Sequence, residues 1–136
     1  MVKKAKILTI IFHSIIVIAA GHGMGIMLML DLVSIPSIIK NGFELNLTNE
    51  YESRFLITGS ISMIGKIVLI VSLFSKSILI KNILVIQGII LLLISFGVLT
   101  IGDWFYESLF IISFCSGIPF LMYSGRVTYL MIKQNK

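Results

Sequence analysis

The chain has 136 residues, of which 57% are hydrophobic and only 12% charged, with a formal net charge of +5. A soluble domain carries nearer a quarter charged residues, and one this short has too little interior to hide so much apolar material. The composition therefore argues against soluble, disordered and nucleic-acid-binding classes, and it makes the lipid bilayer the expected partner. The expected fold class is all-α: a polytopic membrane protein, with residues 1–136 forming one antiparallel bundle of four transmembrane helices.

A spanning helix needs about 20 predominantly apolar residues. Lys3, Lys4 and Lys6 precede the first such run, expected over about 7–30. Val17-Ile18-Ala19 loosely resembles a signal-peptide cleavage site. The apolar pattern continues through Met24 to Leu30, however, so an uncleaved anchor is the expectation. Within this span Gly21-x-x-x-Gly25, with Ser14 one face-repeat away, is the pattern that lets two helices approach closely. His13 and His22 are nine residues apart, which places them on opposite helical faces and prevents joint ligation of one metal. Met24, Met27 and Met29 read as packing residues, since no second Met or Cys cluster accompanies them.

An outer loop over 31–53 follows. Its Ser34 to Gly42 stretch, with an early Pro36, predicts a short interfacial turn lying on the membrane surface, with Phe43, Leu45 and Leu47 in an extended strip beyond it. Asn46-Leu47-Thr48 fits a glycosylation sequon. Asn49 and Glu52 have capping-box spacing, so the second helix begins ahead of its expected span, 55–74.

Lys66 is the most informative position. It lies near the centre of the second span, where a lysine costs about 2.5–3.5 kcal/mol on insertion scales. Thr58, Gly59, Ser62, Gly65 and Lys66 share one helical face with Ser72, and that face should point into the bundle. On this reading Lys66 lies within about 5 Å in depth of His22, and no carboxylate lies at that depth. Lys66, His22, Ser62 and His13 are the ligand or pore candidates. Gly21, Gly25, Gly59 and Gly65 are the helix-packing candidates.

The third and fourth spans are expected over about 83–101 and 106–132. Gly102-Asp103 between them reads as a helix stop followed by a new cap. Trp104, Phe105 and Tyr106 would join the outer aromatic belt. Pro119 should kink the fourth helix and free a carbonyl.

The acids Asp31, Glu44, Glu50, Glu52, Asp103 and Glu107 fall in or beside the two outer loops. Most bases, among them Lys76, Lys81, Arg126, Lys133 and Lys136, fall near the termini and the remaining loop. The positive-inside rule then predicts both termini in the cytoplasm, in a bacterial cytoplasmic membrane. The single cysteine, Cys115, excludes an intrachain disulfide, and no metal-ligand motif is present.

Phe12-His13 and Tyr51-Glu52-Ser53-Arg54-Phe55-Leu56 resemble segments of the bacterial HemJ-type protoporphyrinogen oxidases, small helical membrane proteins. That family has a His in the first helix and an acidic-basic pair before the second, and the resemblance implies haem or porphyrin chemistry. The later helices contain no histidine.

Three functional classes follow. The first expectation is a subunit or homo-oligomer that docks other membrane subunits through its small-residue faces. The alternatives are a small transporter or channel with Lys66 lining an anion or proton path, and a haem- or quinone-binding redox enzyme. No convergent catalytic constellation supports an enzyme.

Overall fold

A computed structural model describes residues 2–20, 23–41, 50–100 and 109–134. The expectations at Gly21, His22, the 46–48 sequon, Asn49, Gly102-Asp103 and the 104–106 aromatic belt lie outside the described residues. Helices α1 (Val2–Ser14), α2 (Met27–Asn41), α3 (Glu50–Phe74), α4 (Ile78–Thr100) and α5 (Leu109–Gln134) dominate. Strands β1 (Val17–Ala20) and β2 (Gly23–Ile26) form an antiparallel pair between α1 and α2. The described chain is mostly helical. Helix α3 over Phe55–Phe74 and helix α4 over Ile78–Thr100 are long and apolar enough to cross a membrane.

The first expected span, 7–30, is not one continuous helix. Its sequence explains the break: β-branched Val17 and Ile18 are followed by glycines at alternate positions 21, 23 and 25. Each glycine disfavours a helix by about 1 kcal/mol relative to alanine, while Val and Ile favour extended backbone. Val17 pairs with Ile26 and Ile18 with Gly25. The Met27 N–H donates to the Ile16 carbonyl at 2.9 Å, which returns the start of α2 to the end of α1. The Val17 N–H donates to Ser116 Oγ at 3.0 Å, so an edge of the strand pair is satisfied by α5. Gly25 therefore lies in a strand and not on a helical face.

The expected interfacial turn over 34–42 is also revised, because α2 continues through Pro36 to Asn41. Ser34 does not cap a new helix. Its hydroxyl donates back to the Leu30 carbonyl at 2.7 Å, a bond available only inside a continuing helix. Helix α3 begins at Glu50, ahead of Phe55 as the capping pattern predicted.

Helices α3 and α4 pack antiparallel along most of their length. Position 88 meets Leu69, position 65 meets Leu91 and Leu92, and Ser95 reaches Thr58. The buried residues of α4, Val85, Gly88, Ile89, Leu92, Ser95, Phe96 and Leu99, recur every three or four positions and define one face. Helix α1 is antiparallel to α5, with Phe12 stacked on Tyr123 at 5.0 Å and His13 edge-on to Phe120 at 4.7 Å. It is antiparallel to α3 as well, since Lys6 meets Ser72 while His13 meets Ser62. The outer faces are strongly apolar: Phe74, Ile86, Ile90, Ile94, Ile118 and Met122 are all exposed.

Two glycines of α3 serve packing within the chain. A Cβ at Gly59 would lie 2.8 Å from the Leu30 carbonyl and collide with Ser34 Oγ, and one at Gly65 would press on Leu92 at 3.0 Å. Gly59→Ala should thus destabilise by about 1–3 kcal/mol, because backbone as well as side chain must move. Gly97→Ala, with nothing within 4 Å of the added carbon, should be neutral or mildly stabilising. Thermal unfolding of both variants in the same detergent checks the contrast; equal destabilisation would contradict this packing.

Candidate functional site

Among the described residues, as many polar and charged side chains as apolar ones are buried. Thr58, Gly59, Ser62, Gly65, Lys66 and Ser72 are all buried along α3. Small residues let α2 and α4 approach this face, and the approach removes water from Lys66. Lys66 Nζ donates to Asp31 Oδ2 from the second turn of α2, forming a salt bridge with side chains 6% and 0% exposed. Asp31 corrects the expectation that no carboxylate shares the depth of Lys66. Cutting the first span at residue 30 had placed Asp31 in the outer loop, whereas the strand pair shifts the chain by ten residues and carries it inside.

A buried pair of this kind is strongly coupled to its surroundings. Desolvation of each ion costs several kcal/mol, recovered only while the partner stays in contact. Asp31 Oδ2 is engaged by Lys66, but Oδ1 is buried with no hydrogen-bond partner among the described residues. Thr58 Oγ1 is likewise buried and unpartnered, although the Thr58 carbonyl accepts from Ser95 Oγ at 3.0 Å. Unsatisfied buried oxygens are uncommon in folded proteins, and a carboxylate oxygen is the costlier kind.

His13 closes the cluster from the last turn of α1. It is fully buried, with Nε2 at 3.3 Å from the Leu92 carbonyl and Nδ1 at 3.5 Å from Ser62 Oγ. A carbonyl only accepts, so Nε2 carries the proton and Nδ1 accepts from the serine hydroxyl. Ser62 is one turn from Lys66 on the same face. The structure brings together three of the sequence candidates, Lys66, Ser62 and His13, and adds Asp31. His22, expected near Lys66, is outside the described residues.

The cluster holds exchangeable protons on Lys66, Ser62 and His13 beside an open carboxylate oxygen. It does not fit a haem. Both nitrogens of His13 are directed to protein partners, and the ring is enclosed by Phe120, which leaves no coordinating position. Among the described residues no three His, Cys, Asp or Glu side chains gather as a metal site. Cys115 is exposed and remote in kind from this chemistry.

Asp31 left one signal in the sequence. It is flanked on both sides by apolar residues, Met27 to Leu30 and Leu32-Val33, so it interrupts an apolar run instead of ending one. The contribution of the Leu92 carbonyl left no signal, since any residue supplies one. No protein family, curated protein or solved structure matches the chain.

Removing one member of the pair strands the other charge in the interior. Asp31→Leu and Lys66→Met should each cost about 3–5 kcal/mol, while the double variant should recover most of that loss. Unfolding titrations of the four proteins measure the coupling directly. Additive single-variant losses would contradict the pairing.

Proposed function

We propose that the chain is a small integral membrane protein that carries protons through its interior at the Asp31–Lys66–His13 cluster. The carrying observation is the buried Asp31 Oδ1, unpartnered beside an ion pair in a helical chain with apolar outer faces. Ionisable groups at membrane depth mark ion or proton pathways more often than packing. The divided first span supports the same reading. Transporters commonly place their sites where helices are interrupted, and non-helical backbone at that depth is tolerated where protein covers it.

In this reading α1, the strand pair and α2 together make the first of four spans, with α3, α4 and α5 as the others. Both termini face the cytoplasm, as the distribution of lysines supports. A proton adds to Asp31 Oδ1 and cancels its charge. Lys66 then faces a neutral acid, and loss of a proton from its ammonium removes the remaining buried charge of the pair. Return of the Asp31 proton to Lys66 restores the pair, so that one proton has entered at Asp31 and one has left from Lys66. The path carries two buried charges only as the ion pair, and the unpaired ammonium is its costly stage.

Purified protein in vesicles containing a pH-sensitive dye tests the reading. Under an imposed potential the wild type should acidify or alkalinise the lumen, and Asp31→Asn should slow the flux by about tenfold or more, a barrier change of at least about 1.4 kcal/mol. Undiminished flux in Asp31→Asn, or none in the wild type, would overturn it.

A second reading, a subunit or homo-oligomer that docks neighbouring helices, draws support from Gly25, Gly97 and Gly125. A Cβ at any of these positions meets nothing within 4 Å, so their backbones remain open to another chain. If the surface around Gly25 is a docking surface, Gly25→Leu should reduce recovery of the assembly in mild detergent; unchanged recovery would remove this reading.

A further inference from the structure

A second polar compartment lies at the opposite end of the molecule from the start of α3. A cavity of about 310 Å³ opens between the N-terminal turns of α1 and α4 and the end of α5. Lys6 and Lys81 line it together, with Asn82 and Gln134, and Ile78 and Met131 form apolar walls. Lys6 is buried and donates to Ser72 Oγ at 3.2 Å, which fixes its stem against α3. Two lysines thus converge on one small space.

No acid among the described residues balances them. Asp31 is committed to Lys66, and Glu50 and Glu52 open α3 at the far end. Lys3, Lys4, Lys76 and Lys133 belong to the same lysine-bearing end, and so add positive potential. The first turn of α4 contributes the positive end of its dipole. A bound anion would relieve both lysines.

The cavity is not isolated. An apolar groove of about 270 Å³ runs on from it between α4 and α5, sharing Asn82 and Met131 and continuing past Ile86, Ile90 and Ile132. Beyond the groove, α4 and α5 meet at Phe96, whose ring lies against Phe114 and Phe120 and leaves no room for a Cβ at Gly117. A cationic chamber continuous with an apolar channel matches a molecule having an anionic head and a hydrocarbon tail.

We propose that this compartment binds an anionic phospholipid, its headgroup phosphate between Lys6 and Lys81 and one acyl chain along the α4–α5 groove. Phosphate is the shared chemistry of a lipid headgroup and a free phosphate ion, but only the lipid uses the groove. The inference rests on membrane residence and is independent of proton carriage at Asp31.

Native mass spectrometry of the detergent-purified full chain tests it, with phosphatidylglycerol, phosphatidylcholine and inorganic phosphate as separate probes. Phosphatidylglycerol should be retained in preference to phosphatidylcholine, and inorganic phosphate should bind weakly and fail to displace it. Lys81→Gln should lower phosphatidylglycerol retention by about fivefold, the worth of one lysine near an anionic surface. Lys6→Gln should do so by at least as much; should that variant not fold, Lys81→Gln decides the matter alone. Ile90→Trp, filling the groove, should weaken the lipid and leave inorganic phosphate unaffected. Equal retention of the two lipids, full displacement by inorganic phosphate, or unchanged retention in Lys81→Gln would overturn the proposal.

Discussion

A lysine and an aspartate buried side by side constrain everything around them. Neither charge tolerates the interior alone, so α2 must stay seated on α3 for Lys66 to keep its partner. That seat is made by glycine and serine: Gly59 admits the Leu30 backbone, and Ser34 folds its hydroxyl back onto its own helix. The strand pair is the remaining requirement. It takes up ten residues between α1 and α2, so that His13 and Asp31, eighteen positions apart, approach the same stretch of α3.

The polar face of α3 was legible in the sequence because threonine, serine, glycine and lysine recur there with helical spacing in a run otherwise rich in Ile, Leu and Val. Burial of that face follows from the cost of presenting Lys66 to an apolar surface. The break at 17–26 was harder to read. Hydropathy averages over glycines, and a run from Ile7 to Leu30 has the length of a span whether or not its backbone is continuous. The Gly21-x-x-x-Gly25 spacing suits close helix packing, yet with Gly23 between them the same glycines withdraw helical support from the backbone. A span continued to Leu30 leaves Asp31, and with it the partner of Lys66, in the outer loop.

His13 illustrates a different limit. Its position on α1 was plain, yet its partners are a backbone carbonyl of α4 and a serine of α3, and neither relation is written in local sequence. Directionality then settles its chemistry. The carbonyl fixes which nitrogen bears hydrogen and turns the ring from an available ligand into a member of a hydrogen-bonded chain.

The charged groups divide by position into two settings. Asp31 and Lys66 neutralise one another inside, while Lys6 and Lys81 converge at one end of the molecule with no acid beside them among the described residues. The first arrangement is closed and the second open to a ligand, although both depend on lysines held by α3 or facing it. The interior pair is the claim on which the rest stands. Solid-state nuclear magnetic resonance of protein in bilayers, labelled at the lysine side-chain nitrogen and the aspartate carboxyl carbon, measures it most directly. A dipolar coupling between Lys66 Nζ and Asp31 Cγ typical of direct contact, lost in Asp31→Asn, is expected; absence of that coupling in the folded wild type would contradict the buried pair.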